Sequence, residues 1–146
     1  MSLEQWERNA WVKRVTPSLR EVFDLIEIAE REIGDGSLAG ISPDGRFDRA
    51  YDAIRCLADA ALHASGYEVR KGERKHERDI QSLMFTVQCP SGTVDFFDQA
   101  RRRRHQSIYE RSGVAQQRDA DDLLAEAKRL LQQVRDWLER EHPNLK

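Results

Sequence analysis

The chain predicts an all-α fold, an antiparallel bundle of four to five helices, and three observations carry that prediction. Apolar residues recur at helical spacing in several separate stretches. Capping and breaking residues bracket those stretches. No stretch alternates apolar and polar residues long enough to read as a strand, and there is no internal repeat.

The elements follow in order. Residues 1–15 read as an N-terminal extension holding a short helix, with Ser2 and Gln5 as a capping pair and Trp6 and Trp11 as apolar anchors. Residues 16–146 read as a single helical domain. Its first strong helix is expected to start at Thr16-Pro17-Ser18, with proline in the first turn and Ser18 and Glu21 as a capping box. Leu19, Val22, Phe23, Ile26, Ala29 and Ile33 form its stripe, and Gly34-Asp35-Gly36 should stop it. A loop then leads to an alanine-rich helix from Phe47 to Ser65, capped by Gly66; its small residues suit close approach to a neighbour. Residues 67–75 read as a basic loop. A shorter helix spans His76 to Val87 with Ile80, Leu83 and Met84 inward, and Cys89-Pro90-Ser91-Gly92 ends it. The next helix covers Thr93 to Arg111, stopped by Ser112-Gly113. The last covers Asp119 to Glu141, with Asp119, Asp121 and Asp122 suiting its positive end.

Composition narrows the function classes. A chain of 146 residues with 34% charged and 39% apolar residues fits one domain with a core and a well-solvated surface. The net charge of −2 gives no overall pull toward nucleic acid or anionic membrane, so any attraction to phosphate has to be local. The charged start, MSLEQWERNAWVKR, reads as neither signal peptide nor membrane span. Cys56 and Cys89 read as reduced thiols of a cytoplasmic protein. The four histidines, His63, His76, His105 and His142, are dispersed and make no metal-binding spacing with the cysteines, and no cofactor fingerprint is present.

The local exception is the segment Arg101 to Tyr109. Phased at about 100° per residue, Val94, Phe97 and Ile108 share a stripe with Arg101, Arg104 and His105. Arg102 and Tyr109 flank it, and Arg103 points nearly opposite, toward solvent. Unpaired arginine on a buried face would cost several kcal/mol or more. Three arrangements avoid that cost: pairing with carboxylates inside the bundle, lining a subunit interface, or facing an anion pocket. Asp98, three and four residues before Arg101 and Arg102, is placed for local pairing. Arginine's rigid fork suits bidentate phosphate binding, which makes Arg101, Arg102 and Arg104 the candidate phosphate ligands. His76 reads either as a surface residue at a helix start or as a lining of the same cleft.

On these residues the chain resembles HEPN domains, helical bundles of prokaryotic toxin–antitoxin and defence systems. The resemblance runs from about Thr16 to Leu138. It rests on SPDGRFDRAYDAIRCLADAALHASGYEVR, HERDIQSLMFTV, the helix DQARRRRHQSIYERSGV and the long final amphipathic helix. It implies a homodimer whose motif helices face each other to form a composite, metal-independent RNA-cleaving site, with RNA or a nucleotide as ligand. It also implies a nucleotidyltransferase as an alternative partner. In such a site a base assists attack by the ribose 2′-hydroxyl while arginine stabilises the transition-state charge. Arg104-His105 matches the family's arginine-plus-polar pair, and Tyr109 stands where its histidine is expected. Arg104, His105 and Tyr109 are therefore the candidate catalytic residues. Tyrosine ordinarily titrates near 10 and is a poor general base at neutral pH, though it can orient phosphate or stack on a base.

Overall fold

The computed structural model describes residues 1–109 and 116–145, the side chains of 105–109 and 145 excepted. A short helix α1 (Leu3–Arg8) leads into a strand β1 (Val12–Arg14), followed by two long helices, α2 (Leu19–Gly36) and α3 (Pro43–Ala64). Strand β2 (Tyr67–Val69) precedes α4 (Lys75–Gln81) and a single 3-10 turn, Ser82–Met84. The long helices α5 (Ser91–Tyr109) and α6 (Gln117–Glu141) follow. Most of the described residues are helical, and the helical bundle expected from the sequence is the fold that forms.

Serine caps set three of the helix starts. The Ser2 hydroxyl accepts the Gln5 amide of α1, Ser18 accepts that of Glu21 in α2, and Ser42 accepts that of Gly45 in α3. Two expectations shift here. Pro17 lies outside α2, before its Ser18 cap, and the proline that opens a helix is Pro43 in the first turn of α3, ahead of the Phe47 start read from the apolar stripe. Helix α2 ends at Gly36, within the expected Gly34-Asp35-Gly36 stop, and the Ser37 hydroxyl caps it by donating to the Ile33 carbonyl at 2.7 Å.

Side-chain pairs fix the helix directions. Arg49 meets Glu32, and the start of α3 reaches back to the end of α2 through Arg46 and the Gly36 carbonyl, so these two helices are antiparallel. Glu30 pairs with Arg135, and Arg46 with Asp121, which sets α6 antiparallel to α2 and alongside α3. Arg103 with Asp119, and Arg104 with Asp52, turn α5 antiparallel to both α6 and α3. Helix α3 is the hub, with Phe47, Ala50, Tyr51, Ala53, Ile54, Cys56, Leu57, Ala58, Ala60, Ala61, Leu62 and Ala64 all buried. At about 100° per residue these positions cover roughly two-thirds of its circumference. The arc left over carries Asp48, Asp52, Arg55 and Asp59, and it faces α4 and α5.

The small sheet corrects the sequence reading. Residues 67–75 are not all loop: Tyr67–Val69 pairs antiparallel with Val12–Arg14 in the register Val12 to Val69, Lys13 to Glu68 and Arg14 to Tyr67. Strands of three residues are too short for an alternation to register. They form because Val12 and Val69 are buried with Leu3, Trp6, Leu62 and Tyr67 in a second apolar cluster that docks residues 1–15 on the bundle. Gly66 makes the turn from α3 into β2 at φ +90°, where a side chain would be strained, and its carbonyl accepts the Val15 amide at 2.9 Å.

Helix α4 is shorter than expected. The Ser82 hydroxyl donates to the Asp79 carbonyl at 2.6 Å, and the chain tightens into the 3-10 turn there. Ile80 and Leu83 point inward, whereas Met84 is exposed. The predicted end of the arginine helix, Arg111 with Ser112-Gly113, lies outside the described residues.

Candidate functional site

Helix α5 buries Val94, Phe97 and Ala100, and its four arginines leave the backbone just beyond them. Arg101 and Arg104 are half-buried, with side chains 26% and 27% exposed, while Arg102 is 69% exposed and is the solvated arginine of the run. Arg103 departs from the sequence reading. Its guanidinium pairs with Asp119 at 2.9 Å and lies 5.7 Å from the centre of the Phe47 ring. The reason is that Asp119 at the start of α6 and Phe47 of α3 reach the side of α5 on which Arg103 lies, and the stripe of a single helix does not reveal those neighbours.

The inward-facing arginines are held by carboxylates. Asp98 pairs with Arg101 and with Arg102, each at 2.8 Å, as the helical spacing predicts. Arg101 also approaches Glu77 of α4 at 3.6 Å. Arg104 reaches α3, with its Nη1 2.6 Å from Asp52 and its Nε 3.8 Å from Asp48. Its guanidinium stands over the Tyr51 ring at 5.4 Å. Pairing with carboxylates inside the bundle is thus the arrangement present in the single chain. His105 and Tyr109 are carried on the last turns of α5, and their side chains lie outside the described residues.

Beneath these pairs lies a second tier of polar groups that the sequence did not single out. Tyr51 is 2% exposed, and its hydroxyl has no hydrogen-bond partner among the described residues. Burial pushes this phenol up to about 12, so it is a neutral donor at any physiological pH. One turn further along α3, the Nε of Arg55 is buried and equally without a partner. Among the described residues, Arg55 is the arginine of this cluster that forms no carboxylate ion pair. His76 sits at the exposed rim; partial desolvation, then the charges of Arg55, Lys75 and Arg104, hold its imidazole below the ordinary range. Exposed at the start of α4, it is the surface residue that the first of its two sequence readings expected.

Two aspartates close the far end. Lys75, expected in a solvated loop, instead joins the fully buried Asp79 at 3.0 Å and Asp59 at 3.8 Å. Burial, then the neighbouring Asp79 charge, push the Asp59 carboxyl up to about 7. A signal for this tier does exist in the sequence: Asp48, Asp52, Arg55 and Asp59 recur at spacings of four, three and four, a charged stripe beside the apolar one.

Chemically, the face offers guanidinium forks, a neutral phenol and an imidazole held below its ordinary range, a set suited to binding an oxyanion. Among the described residues, no group of three or more histidine, cysteine or acidic side chains is placed to hold a metal ion. No helix among them is long and apolar enough to cross a membrane. Comparison with family models, with curated proteins and with solved structures finds no match to this chain.

Proposed function

We propose that this chain is a HEPN-like, RNA- or nucleotide-binding protein of the cytoplasm, acting as a homodimer through the face built by α5. The observation that carries this reading is the placement of Arg101 and Arg104. Both sit half-buried on the inward side of α5, oriented by Asp98, Glu77 and Asp52. Arginines held in this way are pre-organised for phosphate, because little side-chain freedom remains to be lost on binding. In a ribonuclease reading they stabilise the charge that develops when a ribose 2′-hydroxyl attacks the adjacent phosphorus, with Arg104, His105 and Tyr109 as the reacting set.

The second reading is a non-catalytic interaction module that pairs with a nucleotidyltransferase. It draws on Tyr109 in the place of the expected histidine and on the close Arg104–Asp52 pair, which serves a structural clamp equally well.

Fluorescence anisotropy with labelled single-stranded RNA decides between them. Wild-type protein should bind with a salt slope of about 0.7 per phosphate neutralised. The double variant Arg101→Ala/Arg104→Ala should bind at least about tenfold more weakly, one charge-assisted contact being worth roughly 1.5 kcal/mol or more. Arg20→Ala, on the far helix α2, should bind as wild type does. Equal binding by all three proteins, or a monomer at micromolar concentration by sedimentation, would overturn the proposal.

A further inference from the structure

We infer that Tyr51 and Arg55 of α3, with His76 of α4 at the rim, form the floor of a phosphate-binding site beneath Arg104. This rests on the reading that the α5 face binds a phosphate-bearing ligand, and it names residues outside the arginine run as its anchor.

The argument starts from two orphaned groups. Buried donors without partners are rare, because each forfeits the hydrogen bonds it had in water. Here two occur one turn apart on the same helix, the Tyr51 hydroxyl and the Arg55 Nε. A guanidinium N–H can only donate, so the missing partner is an acceptor. Arg55 also makes no ion pair among the described residues, so the acceptor that suits it is anionic. His76 lies between Lys75, which reaches Asp59 on the same arc of α3, and Glu77, which reaches Arg101, and among the charges acting on both the Tyr51 hydroxyl and the His76 ring that of Arg55 is the strongest. Other charges also face this neighbourhood. Lys75, Arg101 and Arg104 add positive charge, while Asp48, Asp52, Asp59, Glu77 and Asp98 add negative charge.

The carboxylates explain how the site is kept closed. Arg104 lies over the Tyr51 ring and is tied to Asp52 and Asp48. An anion reaches the buried donors when Arg104 turns from those aspartates and exchanges a carboxylate for a phosphate oxygen. Asp52 is therefore a competitor of the ligand, and the phosphate group, free or carried by a nucleotide or RNA, is the recognised chemistry.

The test titrates inorganic phosphate, adenosine monophosphate and a short single-stranded RNA into the full chain, with His76 followed by NMR and affinity by calorimetry. Phosphate should shift the His76 ring signals and raise its pKa toward the ordinary value. Arg55→Gln should weaken phosphate binding at least tenfold and Tyr51→Phe about threefold. Asp52→Asn should strengthen it severalfold, a gain that a merely structural role for Asp52 would not produce. Arg20→Gln, at a solvated arginine of α2, should leave it unchanged. If Arg55→Gln does not fold, Arg55→Lys keeps the charge without the fork and should still weaken binding, and the wild-type His76 titration stands by itself. Tighter binding of the monophosphate or the RNA than of inorganic phosphate identifies the carrier. Phosphate binding that is indifferent to Arg55, or an unmoved His76, overturns the inference. RNA binding that depends on Arg101 and Arg104 but not on Arg55 would sink this inference alone, whereas no binding of any probe would sink the parent reading with it.

Discussion

The two sides of α3 make opposite use of the same helix. Most of its circumference is alanine and aliphatic and packs dry against α2 and α6, with Ala50, Ala53, Ile54, Leu57, Ala58, Ala60 and Ala61 fully buried. The remaining arc is charged, and against α4 and α5 it holds a network in which Tyr51, Arg55 and Asp79 leave buried polar atoms without partners. A dry face reaches its best energy when its atoms are close-packed, and any change costs stability. A charged face with unmet donors sits above its best energy and is improved by a ligand. The contrast indicates which side is scaffold and which side is available for function.

The dry side should break hardest. Leu57→Ala removes a fully buried side chain from the hub helix and is expected to cost about 3 kcal/mol, read from the urea midpoint. A loss under about 1 kcal/mol would mean that α3 is not the centre of the core.

The charged side should respond to pH in the opposite sense to a typical aspartate. The folded Asp59 carboxyl is pushed up to about 7, above its unfolded value of 3.8, so ionised Asp59 opposes folding. That penalty is complete above pH 7, shrinks as the pH falls, and is gone near 3.8. Asp59→Asn should therefore stabilise the protein by about 2 kcal/mol at pH 8.5, less at pH 5.5 and not at all at pH 4, by thermal melts across that range. A stabilisation independent of pH would show that Asp59 carries no raised carboxyl.

The smallest effect sharpens the boundary between the two sides. Arg103→Ala loses the Asp119 pair and the Phe47 contact, for about 1 kcal/mol, whereas Arg102→Ala should stay within about 0.5 kcal/mol. The reverse order in urea unfolding would return Arg103 to the solvent.

Particular residues show why the site was only partly legible. The local pairing of Asp98 with Arg101 and Arg102 could be read from spacing alone, because one helix contains both partners. The Arg104–Asp52 pair spans 52 residues and has no local signature. Tyr51 falls on the apolar face of α3, and that its hydroxyl is buried without a partner while Arg104 of α5 lies over its ring has no local signature. Arg55 sits inside an alanine-rich stretch, and only the folded arrangement shows that, among the described residues of this cluster, it is the arginine without a carboxylate partner.

By itself, the sequence determined the helices and their class, since helical periodicity, serine caps and breakers act within a few residues of one another. It also determined that charge would crowd onto α5. Only the tertiary structure decided which arginines turn inward, that Arg102 rather than Arg103 meets the solvent, and that residues 12–14 and 67–69 pair as strands. Those outcomes depend on the width of each buried arc and on partners dozens of residues away. Both are set by how the helices pack around α3, and no single helix encodes them.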